Sequence, residues 1–448
     1  MPQPDAVIAK VMKKTMILAL SILLAGFSIA GCSSSKNADA NTSKSSISGD
    51  IVVITNDAGS IDTLFKDYEK RFKEKYPEVN SVRFEAVQDY DNNMRTRMST
   101  KNYGDVLYNP NLSADKFAQF YEPLGTVEDM KQKYTFAERG AYDGQVYMLP
   151  VSGDVSGIMY NKKVFEQAGI TEWPTTVDEF MADMRAIKEK TSAIPYYSNY
   201  NAGWPLSQWK GNEAVIANDS AYRNQTLPHD PEPFAAGKPN YILYHVLYDL
   251  TKEGLIEADP TTSDFDKSLQ MIANGQIGSM ALGSWALSNA RSLADNPDDV
   301  GFMPFPNADH KAMLNAGYGM AVNVNSKNKA TAKAFVEFFI TESGYAEAQG
   351  NVPGVVGGKV PESLNDMEKN NVEFMVELPS IQGEEGLVEE ILSQSEVGLY
   401  DEKFGRRIID TALGRSQEGF TSFDDIVNRM NQDWSNAQKE VFAKRNIQ

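Results

Sequence analysis

The residues of this chain with the most chemical content are flat aromatic side chains set among glycine, asparagine and serine. Tyr196-Tyr197-Ser198-Asn199-Tyr200-Asn201-Ala202-Gly203-Trp204, then Trp209, Gly283-Ser284-Trp285 and Gly317-Tyr318-Gly319 all stand off the apolar periodicity that marks core faces. A sugar ring has an apolar C–H face and a rim of hydroxyls, so a site for it needs aromatic platforms beside fixed carboxylates and amides. Trp204, Trp285 and Tyr318 are candidate platforms on that ground, although each taken singly is equally suited to core packing. Reactive chemistry is not indicated. His229, His245 and His310 are far apart and lack the pairing of a zinc site. Asp89-Tyr90-Asp91-Asn92-Asn93 opens like a calcium loop, but Met94 stands at its glycine position and Thr100 at its closing glutamate. There is no phosphate-binding loop, dinucleotide fingerprint or nucleophile elbow. The pairs Glu384-Glu385 and Glu389-Glu390 suit a solvated helix face. No metal and no cofactor are expected.

The elements that must position these residues alternate. Ile51–Thr55 is a β-branched strand, and Asn56-Asp57-Ala58-Gly59-Ser60 is a turn. Ile61, Leu64, Phe65, Tyr68 and Phe72 then mark one face of a helix that stops at Tyr76-Pro77. Further strands are expected over 79–87 and 105–108, with a helix through Met94 and Met98 between them. Strand–helix alternation gives an α/β fold with parallel sheets and crossover helices. Ligands bind beyond the carboxyl ends of such strands, which singles out Asn56, Asp57, Asn109 and Asn111; the competing reading is that these four only form turns. Later helices are expected over 176–191, 242–253, 265–273, 329–341, 366–377 and 422–446.

The formal net charge of −18 argues against nucleic acid as a partner, and against a membrane bound through its charge. Cys32 is the only cysteine, so neither disulfides nor thiolate metal sites are expected. It follows Lys10, Lys13 and Lys14 and the apolar run Met16–Gly31, the order of a secretory signal rather than of a spanning helix. Met12 would open a signal of more ordinary length than Met1. Ile29-Ala30-Gly31-Cys32 resembles the lipobox of bacterial lipoproteins, which implies cleavage after residue 31 and a lipid on Cys32. The segment 32–49, polar and without apolar periodicity, reads as a flexible tether.

Tyr142-Asp-Gly-Gln-Val-Tyr-Met-Leu-Pro150, Gly157-Ile-Met-Tyr-Asn-Lys-Lys-Val-Phe165, Pro174-Thr-Thr-Val-Asp-Glu-Phe180, Ser279–Asn289, Phe302-Met-Pro-Phe-Pro306 and Gly317–Phe339 occur in an order that resembles the family 1 extracellular solute-binding proteins of ABC importers. The resemblance implies a two-lobe, periplasmic-binding-protein-like fold, each lobe a mostly parallel sheet flanked by helices, with a hinge between them. It divides the chain into a first lobe of 50–153 and 303–353 and a second of 154–302 and 354–448. It implies ligand contacts at Asp57, Asn109 and Asn111, an acid next to the hinge at Asp154, an aromatic wall at Asn201 and Trp204, and a stacking tryptophan at Trp285. After Val360 no counterpart of the last stacking tryptophan of the family's maltose-binding members is found, and Tyr400 is the substitute to consider. The expected function is capture of a neutral oligosaccharide for an ABC permease by a monomer, lipid-anchored on the extracytoplasmic face of a Gram-positive-type membrane. A polyamine or other polar solute is the alternative ligand. A surface glycoside hydrolase using Asp57 and Asp154 is the alternative from another class.

Overall fold

The computed structural model describes residues 46–447. The expected signal peptide (1–31), Cys32 and the tether as far as residue 45 lie outside the described residues. Gly49, the last residue of the expected tether, is already paired in a sheet.

Two sheets organise the described chain. The first contains β1 (Gly49–Thr55), β2 (Val79–Ala86), β3 (Val106–Tyr108), β4 (Met148–Pro150) and a returning strand, Gly319–Val322. Its order is β2-β1-β3, the returning strand, then β4. β1 runs parallel to both β2 and β3, whereas the returning strand runs antiparallel to β3 and β4. Apolar helix faces cover this sheet: Phe65, Tyr68 and Phe72 of Leu64–Lys75 meet Phe335 and Phe339 of Lys329–Thr341 in one buried aromatic cluster.

The second sheet is built around one long strand, β5 (Ser152–Asn161). The later strands, in chain order, are β6 (Ile194–Tyr196), β7 (Ile277–Gly283), β8 (Val300–Met303), β9 (Lys311–Ala316), β10 (Gly319–Val322, in the first sheet), β11 (Val352–Pro353) and β12 (Glu373–Val376). β7, β8, β9 and β11 all pair antiparallel with β5, while β6–β7 and β9–β12 are parallel. The expected mostly parallel sheets are therefore mixed, because strands that arrive from the other lobe enter from the opposite end and cannot run parallel to those built by local crossovers. The segment 366–377, expected as a helix, instead makes the short helix Asn365–Lys369, turns at Asn371 with φ 55°, and continues as β12.

The chain passes between the sheets three times: once from the helix Lys329–Thr341 back to β11, and at two adjacent crossings, Pro150-Val151-Ser152 and Ala316-Gly317-Tyr318. The two adjacent crossings are hydrogen-bonded to each other, with Val151 N–H donating to the Tyr318 carbonyl (3.1 Å) and Gly317 N–H to that of Ser152 (2.8 Å). The return thus falls at Gly317 rather than near residue 303. β9 has Leu314 buried in the second lobe's core and pairs with β5 first.

The C-terminal helices add to the second lobe. Phe423–Arg445 begins at a Ser422–Asp425 capping box, an arrangement contributing about 1 kcal/mol, and buries Phe423, Ile426, Val427, Met430, Trp434, Ala437 and Val441 at helical spacing. Trp434 donates its indole N–H to the Asp230 carbonyl (2.8 Å). Phe234, Tyr244 and Phe404 complete that core. No helix among the described residues is long and apolar enough to cross a membrane.

Candidate functional site

A cavity of about 880 Å³ lies beside the crossings, lined from both sheets. This is the position at which strand ends and crossovers leave backbone and side-chain polar groups unused, and the volume is within the 300–1,000 Å³ of ordinary ligand sites.

On the first-lobe side the lining includes Asn56, Tyr108, Asn109, Asn111 and Arg139, and the crossing adds Tyr318. Tyr318 is 46% exposed and leans on Tyr108, with ring centroids 5.8 Å apart. Asn109 is largely occupied by its own turn: its Oδ1 accepts from Leu112 N–H (3.1 Å) and from the Tyr121 hydroxyl (2.8 Å). Asn111, in the left-handed region at φ 53°, donates to Asp91. Asp57 does not line the cavity. Its carboxylate accepts from Ser60 N–H (3.1 Å) and Oγ (2.6 Å), closing the turn after β1, and Asn56 lines the cavity instead.

The second lobe supplies most of the ionic groups. Asp154 and Ser156 share one face of β5, as period-2 alternation requires. Burial pushes the Asp154 carboxyl up to about 6, against the opposing pull of the Lys210 ammonium and the Asn315 amide. Trp285 follows β7 in a single 3₁₀ turn, with Ser284 Oγ accepting from Val155 N–H (2.9 Å) to pin the turn to β5. Its indole N–H points at Gln208 Oε1 (3.4 Å). Trp204 is absent from the lining. It is 39% exposed outside it and packs on Trp285 (centroids 5.8 Å) and Phe265 (4.6 Å). Asn201 is turned away, its amide donating to the Ser263 carbonyl (3.1 Å).

Sequence reasoning did not single out Gln208, Lys210, Glu213 and Arg223, all of which line the cavity. Lys210 makes no ion pair or side-chain hydrogen bond among the described residues. Glu213 is 1% exposed, with Oε2 unpartnered, and burial raises its carboxyl above the usual range. The Arg223 guanidinium lies 4.8 Å from the centre of the Tyr400 ring and 3.3 Å from Glu389. The Tyr400 hydroxyl is buried without a partner. Tyr400, the substitute aromatic considered from the sequence, thus reaches the cavity.

A two-sheet molecule with a polar, aromatic-walled cavity at its crossings has the architecture of a solute receptor, and the family model for bacterial extracellular solute-binding proteins matches residues 55–346. The chain belongs to that family. It is an extracytoplasmic solute-binding protein of ABC transporters, and a binding protein rather than an enzyme, which sets aside the hydrolase reading of Asp57 and Asp154. The binding protein BlMnBP1 of Bifidobacterium animalis subsp. lactis, solved with mannobiose, superposes with a TM-score of 0.77 at 31% identity, covering 88% of this chain and 95% of that one. The diacetylchitobiose-binding protein DasA of Streptomyces coelicolor is 28% identical over 76% of this chain and 82% of its own length. The melibiose/raffinose/stachyose-binding protein MelE of Bacillus subtilis is 24% identical over 73% and 77%.

Proposed function

We propose that this solute-binding protein captures a neutral oligosaccharide and delivers it to an ABC permease, held at the outer face of the membrane by a lipid on Cys32. The observation that carries the ligand class is the pair of aromatic residues facing one cavity from different segments, Tyr318 at the crossing and Trp285 after β7, with carboxylates, amides and a lysine around them. Stacking residues grip the C–H faces of successive units. Asp154 accepts from hydroxyls, Lys210 donates to them, and Asn109 and Asn111 add bonds directly or through water. Trp204 extends the platform of Trp285 toward the outside. Asp57 and Asn201 support the loops beside the site. Ligand that touches both lobes stabilises the closed arrangement by its differential affinity, and the permease reads closure.

Charge supports a neutral ligand over a polyamine. Glu138, Asp154, Glu213 and Glu377 line the cavity together with Arg139, Lys210 and Arg223, so a dication meets cations as well as carboxylates. The named ligands of similar proteins supply the first probes. Calorimetry with mannobiose, mannotriose, diacetylchitobiose and raffinose is expected to give micromolar or tighter binding to at least one. Failure of all four together with binding of spermidine overturns the oligosaccharide reading. Expression of the full chain in a bacterial host with labelled palmitate tests the anchor, with label expected on the wild type and lost from Cys32→Ala.

A further inference from the structure

Gly283 ends β7 directly before the Ser284-Trp285 turn and lies in register opposite Ser156, which lines the cavity. Its backbone, φ −74° and ψ 155°, is ordinary extended chain that any residue adopts, so conformation does not call for glycine here. Space does. A Cβ at this position would lie 2.5 Å from the indole nitrogen of Trp285, closer still to its Cδ1, and 2.8 Å from Asp154 Oδ2. The volume that a side chain would fill is therefore shared by the edge of the stacking platform and the carboxylate beside it. Trp285 is folded back over its own strand, its N–H toward Gln208, because nothing stands in that place.

We infer that Gly283 is a positioning residue of the binding site, whose missing side chain lets the Trp285 indole and the Asp154 carboxylate converge on one sugar unit. This rests on the oligosaccharide reading above. A methyl group at Gly283 meets side-chain atoms, which can move, rather than backbone. The predicted consequence is a displaced indole in an intact fold. Trp285 swings away from Asp154 and toward Trp204 and Phe265, and a single unit can no longer stack on the ring while bonding the carboxylate.

Gly283→Ala tests this in two backgrounds. In the wild type it is expected to weaken the best-binding sugar of the panel at least tenfold and to shift tryptophan emission of the unliganded protein, with a cooperative melt retained. In Trp285→Ala the same substitution is expected to leave emission unchanged and to weaken binding by less than it does in the wild type, the remaining loss coming from the crowded Asp154 carboxylate. Unaltered emission in the wild-type background overturns the inference whether or not any sugar binds. An equal loss of affinity in both backgrounds overturns it as well, since the methyl group would then act through the strand. If no sugar of the panel binds and spermidine does, but the emission shift appears only when Trp285 is present, the positioning stands and the ligand class falls.

Discussion

Asp154→Asn separates what the site does for folding from what it does for ligand. In the unliganded protein the carboxyl is raised from 3.8 to about 6, chiefly by burial, so folding favours its protonated form. The contribution is fully present below pH 3.8 and is lost as the pH rises through about 6. At 1.36 kcal/mol per unit of pKa, the ionised group lowers stability at pH 7.5 by at most about 3 kcal/mol, and its opening to the cavity brings the realistic figure to about 1–3 kcal/mol. Asparagine is the neutral isostere. Asp154→Asn should be more stable than the wild type by that amount at pH 7.5, and the difference should vanish below pH 4. Urea unfolding of both proteins at several pH values between 4 and 8 measures it. Binding should move the other way, because a charged acceptor for a hydroxyl is worth about 1.5–3 kcal/mol. The variant should bind its sugar about ten- to a hundredfold more weakly at pH 7.5. A variant less stable than the wild type at pH 7.5 would refute the reasoning, since the carboxylate would then be held by a stabilising pair with Lys210 rather than waiting for ligand.

Trp285→Ala should weaken sugar binding at least tenfold in calorimetry, while its far-ultraviolet circular dichroism stays that of the wild type. Gly317→Val places a side chain where a Cβ already comes within 2.9 Å of the Ser152 carbonyl. It should spread the crossings, lower stability by about 1–3 kcal/mol, and abolish the decrease in radius of gyration that ligand is expected to cause in the wild type, as measured by solution scattering. Trp434→Ala removes a fully buried indole and its bond to Asp230. It should cost about 3–5 kcal/mol in urea unfolding and leave the affinity of the folded fraction unchanged, since Trp434 lies in the second lobe's core away from the cavity.

The α/β class was legible because local pattern decides it. Ile51–Thr55 is too short and too β-branched for a helix, and Phe65, Tyr68 and Phe72 repeat at a spacing that only a helix brings to one face. The mixed sheets were not legible, since β9 and β10 are short, apolar runs whose sheet membership depends on which side of Gly317 the chain crosses. No periodicity encodes a crossing. Asn201 shows the same limit at single-residue scale. It stands three positions before Trp204, but Ser263, brought in from a distant loop, takes both its backbone N–H and its amide.

The candidate site divides along the same line. Trp285 and Tyr318 could be picked out because each is a large ring set directly among glycine and serine, Gly283-Ser284-Trp285 and Gly317-Tyr318-Gly319, off the apolar periodicity of the neighbouring elements. Lys210, Glu213 and Arg223 carry no such mark: each sits in a short stretch where a charged residue is ordinary. Glu213 becomes informative only when the helix Asn212–Ala217 buries it and Tyr400 and Arg223, from two other segments, close over it. Burying a carboxylate with an oxygen left unpartnered lowers stability, and folds retain such groups chiefly where a ligand uses the field they create. Gly283 is the complement of that case. Glu213 is a group whose burial costs stability, and Gly283 is a side chain left out although the backbone would accept one. Glu213 lines the cavity, and Gly283 lies against two residues that do, Trp285 and Asp154. An unpartnered buried acid and a missing Cβ thus both fall on the second-lobe side of the cavity, where Asp154 and Trp285 would meet the proposed sugar.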